Sequence, residues 1–533
     1  MEISRHNELL AAFAQMQCRL LALTDDVATL KAELAARDAS LHSLQLAHTQ
    51  LQTVVSLQDE HIASLTRELF GKSSEKAKSP SLPPAIPKVK RGRHEHGRKA
   101  IPDHLPRVEE IHDVPPEIRP GMVQIGANRR EILAWAPGYW YVRVIITPVY
   151  ALPGEPKAGI VTAEVPELGI DRTKYDVAVA ARLAAGKFVQ HLPVYRQVQQ
   201  FKREGVTIPI QSAVGQLALA ADILKNLYLP LLALIRKRPT AHFDDTGVNK
   251  LDPGRGKVVR SFLWLIKSIT DGPPLAAFIA TPGRGSADAR SALGDFVGHL
   301  HADACPSHDQ IFVSPEIGPA KVTEGGCMAH SRRKFNDAQA VAGKKLADAA
   351  IATIQKLYVI EAGCRPALLA ATAKAKAQSE WDTAYDVRKQ YRLDKGANAL
   401  IDQLYATVDL ILKDAVPGSK IYLAAQYTDK LRTQLRSYLD NGRYEIDNNT
   451  AENAIRPVAL GRANWLFFGS DNGALSGAIH MTFAAMCKLH DIDLYEYYCD
   501  VLPRIQTYPA SRVHELLPHN WRATLAAKSA AAS

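Results

Sequence analysis

"TAHFDDTGV", at residues 240–248, is the first of four short apolar segments from which the fold class is assigned. The others are "RSFLWLIKSIT" (260–270), "PLAAFIAT" (274–281) and "HLHADAC" (299–305). Their aromatic and β-branched residues, and the Gly, Pro and Asp that separate them, are typical of strands. A helix is expected from about Ala287 to Val297. Three strands, a helix and a fourth strand predict the first part of an α/β layer.

Two aspartates lie where these strands are expected to end. Asp244 is predicted to end the first strand and Asp303 the fourth, so both carboxylates are expected at one edge of the sheet. Carboxylates in such a place suit two Mg²⁺ or Mn²⁺ ions, which bind few protein oxygens and leave positions for phosphate and water. Taken singly, each aspartate is ordinarily a turn or cap residue. Their joint placement is what indicates a metal site.

A third carboxylate is expected from "EIDNNTAENAIRP", residues 445–457. Residues 447–449 are Asp, Asn and Asn, which favour a turn and a helix N-terminus near Thr450. Glu452 would then lie in the first turn of that helix and point toward the sheet. The alternative is a glutamate favoured there by the helix dipole, in a surface ion pair with Arg456. Glu445, before the turn, is the second candidate for the third carboxylate.

Several basic and amide side chains near these carboxylates are candidates for binding nucleic acid. "DPGRGK", residues 252–257, reads as a basic hairpin, and "SRRKF", residues 331–335, as a basic helix face that is equally consistent with simple solvation. The candidates in and around these segments are Arg255, Lys257, Arg332, Arg333, Lys334, Asn453 and Arg456.

Composition favours a polyanionic partner and a reducing compartment. The 533 residues predict several domains, and the formal net charge is +10. The six cysteines form no CxxC pair. No signal peptide and no apolar run of about 18 residues are recognised. These observations predict a cytoplasmic, reduced protein that does not bind a membrane.

The N-terminal residues 1–70 are predicted to form a coiled coil. Apolar residues recur at the a and d positions of a heptad counted from Phe13 to Leu69, with Arg37, His48 and Gln58 as polar interruptions. An intramolecular helical hairpin is the alternative. A coiled coil would join subunits into a homo-oligomer.

Residues 71–107 are predicted to be a basic linker rich in Pro and Ser. Such a segment cannot bury enough apolar surface to fold alone. Its basic side chains either remain solvated or follow phosphates and enter a minor groove. The candidates for DNA contact here are Arg91, Arg93, Arg98 and Lys99.

The middle of the chain is predicted to contain a β-rich module of short strands, residues 108–168, and a helical region, residues 169–238. In the second region, "LPVYRQVQQFKREGVTIPIQSAVGQLALAA" places two helices around "EGVTIP", which is the outline of a DNA-binding helix-turn-helix or of ordinary helical packing. A long helical stretch is expected from about Ser331 to Leu439. The fold class is therefore a multidomain α protein with an α/β core.

The chain resembles transposases of the insertion-sequence 66 family over nearly its whole length. The resemblance is carried, in this order, by "FGKSSEK", "GRKAIPDHLPR", "LPVYRQ", "HFDDTG", "LDPGRGK", "HADAC", "CMAHSRRKF", "EIDNNTAENAIRPVALGRANWLFFGS" and "ELLPHNW". These proteins are similar to other DDE transposases with a ribonuclease H-like catalytic core. The resemblance implies such a core at residues 239–483, with a helical insertion at about 335–440 and a helical region at 484–533.

The same resemblance implies an activity and its partners. The family's acidic triad falls on Asp244, Asp303 and Glu452, which would bind two Mg²⁺ or Mn²⁺ ions. The substrates would be transposon-end double-stranded DNA and target DNA, in the bacterial cytoplasm on the nucleoid. Accessory proteins of the same element are further expected partners.

Two departures from the family pattern bear on this interpretation. The family's zinc-binding module has paired cysteines that residues 108–168 lack, so no zinc is predicted and the module must rest on apolar residues such as Trp135, Tyr139, Trp140 and Tyr141. The first motif, usually Asp-Glu-Thr-Pro, reads Asp-Asp-Thr-Gly from Asp244. A catalytically silent DNA-binding protein is therefore the alternative, and a nuclease for RNA:DNA hybrids is a third hypothesis.

One further pair of residues has the spacing that is typical of one half of a four-ligand metal site. Cys327 and His330 are three residues apart, but no second pair accompanies them in the sequence. Structural packing is the favoured interpretation of both.

Overall fold

The computed structural model of the protein describes residues 12–27, 29, 31, 33–34, 37, 101–136, 138–151, 153, 160–164, 170, 173–252, 256–303, 311–312, 322–339 and 344–532. Residues 12–27 form a helix, α1. Most of the predicted coiled coil, most of the linker and the candidate DNA-binding residues Arg91, Arg93, Arg98, Lys99 and Arg255 lie outside these ranges.

The β-rich module is built on one long hairpin. Its strands are β1 (Arg107–Ile111), β2 (Val123–Ala136), β3 (Tyr139–Ala151) and β4 (Ile160–Thr162). β2 and β3 pair antiparallel along their whole length, so the expectation of short strands was wrong. β1 runs parallel to β3, and β4 antiparallel to it. Trp140 is buried in the core, whereas Tyr139 is exposed and contributes nothing to it.

Three helices follow: α2 (Val177–Ala184), which a π-helical turn extends to Val189, α3 (Val194–Arg203) and α4 (Ile210–Arg236). α3 and α4 flank the predicted turn at residues 204–209. α4 is long and apolar enough to cross a membrane by length and composition alone, although Asp222 and Lys225 interrupt its apolar residues. Its leucines at 224, 227 and 231 are instead buried within the protein. α4 is therefore a core helix.

The second sheet positions two of the candidate carboxylates, because Asp244 lies on one of its strands and Asp303 follows another. Its strands are β5 (Thr240–Asp252), β6 (Lys257–Ser268), β7 (Leu275–Thr281), β8 (Gly298–His301) and β9 (Val322–Gly325), with helix α5 (Ser286–Leu293) before β8. The order across the sheet is β7-β6-β5-β8-β9. β5, β6 and β7 pair antiparallel, whereas β8 and β9 run parallel to β5. The sheet is thus mixed, and the chain is a mixed α/β protein.

Asp244 lies inside β5 and does not end it. β5 continues for eight residues beyond Asp244 because Thr246 and Gly247, which resemble a turn in the sequence, pair with Leu263 and Phe262 of β6. The pairing of β5 with β6 continues as far as Asp252 and Lys257. The prediction that the first strand ends at Asp244 was therefore wrong, although the position of Asp303, two residues past the end of β8, agrees with expectation.

Helices occupy most of the remaining chain. They are α6 (Met328–Ala338), α7 (Lys344–Lys374), α8 (Gln378–Asp394), α9 (Ala397–Asp414), α10 (Lys420–Lys430), α11 (Arg432–Arg436), α12 (Asn449–Trp465), α13 (Asp471–Leu489), α14 (Leu494–Arg504) and α15 (Pro518–Ala532). A two-residue strand, β10 (Phe467–Phe468), pairs with β5 between α12 and α13.

Side chains from α4 and α13 cover the free edge of β7. The backbone N–H of Phe278 donates to Thr482 Oγ1 (2.8 Å), and its carbonyl accepts from the Tyr228 hydroxyl (2.7 Å). Met486 Sδ accepts from the N–H of Ala276 (3.2 Å). An edge strand satisfied in this way cannot recruit another strand. α4 belongs to the helical region that was predicted to end at residue 238. These contacts nevertheless pack it against the second sheet.

The chain divides into two compact units. The larger comprises Arg93–Arg333, Ala349–Asp409 and Gln426–Ser533 and contains both sheets. The smaller comprises Met1–Gly92, Lys334–Asp348 and Leu410–Ala425. Its described residues include α1 and the short helical stretches that end α6 and α9 and begin α7 and α10.

Candidate active site

The pairing of β5 with β8 brings Asp244 and Asp303 to the same level of the sheet. The last residues that pair are His242 and His301, and each aspartate follows its histidine by two positions. Because side chains two residues apart on a strand point to the same face, Asp244 lies on the face of His242. Both aspartates are partly exposed.

Helix α12 is held against β5 at both of its ends. Asn448 occupies its N-cap position, but the side chain makes no cap hydrogen bond and instead hydrogen-bonds His242 Nδ1 (2.9 Å) and donates to the carbonyl of Phe243 (3.0 Å). Toward the other end, Arg462 donates to Thr246 Oγ1 (2.8 Å) and to the carbonyl of Gly247 (2.5 Å). The helix that carries Glu452 therefore has a defined position on the strand that carries Asp244.

A cavity of about 620 Å³ lies between these elements. Its lining residues are Asp244, Asp303, His330, Arg333, Asn448, Asn449, Glu452, Asn453, Ile455, Arg456 and Ala459. Three acidic residues from β5, from the segment after β8 and from α12 thus face one space, together with two arginines. Of the other candidates that the structure describes, Lys257, Arg332 and Lys334 do not line this cavity.

The Glu452 carboxylate contacts two side chains of α6. It does not form the alternative ion pair with Arg456, four residues further along α12. Its Oε2 lies 3.3 Å from Arg333 Nη2, and its Oε1 lies 3.6 Å from His330 Nδ1. Cys327, His330 and Glu452 place one sulfur, nitrogen and oxygen atom within 4.8 Å of one another. The sequence indicated only the Cys and His, because Glu452 is distant in the chain.

The sequence model described as the IS66 family of transposases matches residues 172–476, which is more than half of the chain. The chain belongs to this IS66 family. A model of the IS66 C-terminal element matches residues 482–519 of the same chain.

Relatives with similar sequences occur in Sinorhizobium fredii (strain NBRC 101917 / NGR234). "Uncharacterized protein y4jD" is 30% identical over 450 residues, which cover 81% of this IS66 family member and 84% of the relative. "Uncharacterized protein y4qI" is 27% identical over 551 residues, which cover 94% of the chain and 98% of the relative. The similarity therefore extends well beyond the cavity.

Glu445 does not line this cavity and instead pairs with α8 of this IS66 family member. Arg388 donates to its Oε1 (2.7 Å) and Oε2 (3.0 Å), and also to Glu361 Oε2 (2.8 Å). Burial alone would raise the pKa of Glu445, but the adjacent Arg388 guanidinium outweighs burial and lowers it to about 2. Glu445 is thus held in a partly buried ion pair and is absent from the lining that contains Glu452.

Three histidines form a buried layer behind the acidic residues. His242 stacks on His301 with ring centroids 4.8 Å apart, and His299 contacts His301 edge-on at 4.7 Å. His301 Nε2 accepts from the backbone N–H of Glu445 (3.0 Å). Burial lowers the pKa of His242 to about 4 and that of His299 to about 3. The signal in the sequence was the spacing His-x-Asp in both strands, which places each histidine beside an aspartate.

We expect this layer to make the protein unstable in acid. A histidine with a depressed folded pKa stays neutral when folded and gains a proton on unfolding below about pH 6.5. Stability is therefore present above pH 6.5 and falls by about 1.4 kcal/mol per pH unit for each such group as the pH decreases toward its folded pKa. His299 stacks on Tyr444 with ring centroids 3.5 Å apart, and His299→Phe keeps a ring there. In urea unfolding the variant should lose about 1.4 kcal/mol less stability per pH unit of acidification than the wild type. An identical pH dependence in the variant would contradict the assignment.

Proposed function

We propose that the protein is a DNA transposase that binds the ends of an insertion sequence and catalyses metal-dependent DNA cleavage and strand transfer. The observation that carries this proposal is that Asp244, Asp303 and Glu452, from three separate elements, line one cavity. As part of it, the second sheet with α12 is assigned to a ribonuclease H-like core. Membership of the IS66 family supports the same reaction class.

The donor set in this cavity suits Mg²⁺ or Mn²⁺. Asp244, Asp303 and Glu452 offer carboxylate oxygens, which hard divalent cations prefer, and the remaining cavity volume leaves space for phosphate oxygens and water. These three residues would hold two ions. Bound ions would supply an activated water or 3′-hydroxyl and would stabilise the leaving oxygen.

The basic and amide side chains of the cavity are proposed to position the DNA backbone. Asn453 and Arg456 are exposed on α12, one on either side of the buried Ile455, and Arg333 reaches the cavity from α6. Arginines beside carboxylates offset the repulsion between acidic residues and phosphates, and they contact phosphates without reading sequence. Lys257, Arg332 and Lys334, with Arg91, Arg93, Arg98, Lys99 and Arg255, are proposed as further contacts with the DNA outside the cavity.

A homo-oligomer is part of the proposal. α1 exposes Phe13, Met16, Leu20 and Leu23, each by more than half of its surface. These are a and d positions of the predicted heptads, and an exposed apolar stripe of this kind is stabilised when a second helix covers it. Two subunits joined in this way could hold two transposon ends together. The proposed location is the bacterial cytoplasm, and accessory proteins of the element are further proposed partners.

The test is cleavage and joining of the native element's end DNA by the purified protein. We expect products with Mg²⁺ or Mn²⁺ and none when the metal is chelated, because the proposed chemistry depends on the ions. End binding, measured by gel shift, should persist in chelator. Binding without any nicking under either metal would favour the catalytically silent DNA-binding protein. Preferential cleavage of an RNA:DNA hybrid over end duplex would favour the nuclease.

A further inference from the structure

Cys327, His330 and Glu452 form a cluster that the proposed DNA chemistry does not require. Cys327 lies just before α6, His330 in its first turn and Glu452 in the first turn of α12. The Cys327 side chain is buried, and its Sγ accepts the backbone N–H of Asn448 (3.3 Å). His330 and Glu452 line the cavity, and their side chains remain 22% and 30% exposed.

Two buried atoms of the cluster face each other without a hydrogen bond. Within the described part of the chain, His330 Nδ1 and Glu452 Oε1 have no hydrogen-bond partner, and they lie 3.6 Å apart. Two ligands of one tetrahedral ion, each at about 2.0–2.1 Å from it, are separated by about 3.4 Å. The observed separation therefore fits one shared ion with little movement. The sulfur lies within 4.8 Å of the other two ligand atoms, and a tetrahedral Zn²⁺ site would separate them by about 3.5 Å, so the sulfur has to approach by at most about 1 Å.

We propose that Cys327, His330 and Glu452 bind one thiophilic divalent cation of the Zn²⁺ class. The sulfur and imidazole ligands select Zn²⁺ over Mg²⁺, which prefers oxygen atoms alone. Three protein ligands leave a fourth position for water on the cavity side. On binding, the Cys327 thiol loses its proton to solvent and sulfur bonds to the metal.

The site would compete with the proposed DNA chemistry, and this consequence rests on the proposed function. Glu452 cannot keep the same oxygen available to a catalytic Mg²⁺ while it ligates the second cation. Arg333, whose side chain is 58% exposed, can leave Glu452 when a cation replaces its charge. Zn²⁺ is therefore expected to inhibit cleavage by removing a carboxylate.

Binding is tested with Co²⁺ as a spectroscopic substitute for Zn²⁺. The full-length protein, stripped of metal and kept reduced, is titrated with Co²⁺, and the sulfur-to-cobalt charge-transfer band is recorded. We expect the band to saturate at one equivalent and to disappear when Zn²⁺ is added. Cys327→Ser should abolish the band. The matched control, Cys364→Ser, removes another buried thiol and should leave it unchanged.

A second variant keeps the test informative if Cys327→Ser does not fold. His330→Gln retains the sulfur but loses the imidazole, and its affinity for Co²⁺ should fall by about tenfold or more. No charge-transfer band in the wild-type protein, or a band unaffected by both variants, would overturn the proposal.

The competition is tested separately from binding. Under Mg²⁺, the concentration of Zn²⁺ that halves end cleavage should rise about tenfold or more in Cys327→Ser relative to wild type and Cys364→Ser. Equal inhibition of all three would refute the competition. If the protein cleaves no DNA at all, the proposed function fails, whereas the cobalt titration still decides whether the cluster binds a metal.

Discussion

Substitution of Asp244 or Asp303 by Asn is expected to slow metal-dependent end cleavage by about a thousandfold, which corresponds to roughly 4 kcal/mol of transition-state stabilisation. The amide keeps the size of the side chain but removes the negative charge that holds a divalent ion. Both residues line the cavity beside Glu452. Binding of end DNA should be largely retained, because phosphate contacts come from other side chains. Single-turnover cleavage and gel shift on the same preparations separate the two effects.

The neighbouring Asp245 supplies a matched control. It is the same residue type on the same strand, but its carboxylate pairs with Arg284 Nε at 2.8 Å and does not line the cavity. Asp245→Asn should therefore retain cleavage. If Asp303→Asn cut DNA at the wild-type rate, or if Asp245→Asn were as inactive as Asp244→Asn, the assignment of the acidic residues would be wrong.

The second large effect is expected at Arg392, whose side chain is fully buried between α7 and the segment before α12. It donates to both carboxylate oxygens of Glu361 (2.6 and 3.0 Å) and to the carbonyls of Tyr438, Asn441 and Tyr444 (2.5, 3.2 and 2.8 Å). Arg392→Met keeps much of the volume but leaves these acceptors without their donor. We expect a loss of about 3–5 kcal/mol, seen as a lower thermal midpoint.

An exposed arginine in the same helical region supplies the comparison. Arg436 donates to Asp402 Oδ1 (2.6 Å) and Asn398 Oδ1 (3.2 Å), and its side chain is 41% exposed. Arg436→Met should cost at most about 1 kcal/mol, because water replaces its partners. Similar thermal midpoints for the two variants would show that the buried network contributes little. Because the chain has several domains, the midpoint of the affected transition is compared and not a global free energy.

Local patterns allowed the sheet and the start of α12 to be predicted from the sequence. Apolar segments bounded by Gly and Pro indicated β5 to β8, and the Asp-Asn-Asn turn indicated a helix start near Thr450, one residue from the observed start of α12 at Asn449. The extent of β5 was not predictable in this way, because Thr246 and Gly247 have turn propensity and only pairing with β6 makes them extended. Tertiary pairing here overrides local preference.

Contacts between distant parts of the chain could not be read from spacing. Asn448 has the composition of a helix cap, yet its amide bonds to His242 and Phe243 on β5. The choice between Glu445 and Glu452 also depended on tertiary structure, since only the ion pair with Arg388 shows where Glu445 points. For the same reason Cys327 and His330 had no recognisable third partner in the sequence.

The separation of the acidic residues along the chain affects synthesis of the protein. Glu452 is translated 208 residues after Asp244 (452 − 244), which takes about 10 to 40 s at roughly 5–20 residues per second. During that interval the nascent chain holds β5 and β8 without the helix that anchors to them through Asn448. The ribosome-bound fragment lacks the third proposed carboxylate and is therefore expected not to cleave DNA. It also exposes strand surface that α12 and α13 later cover, which makes it a substrate for chaperones.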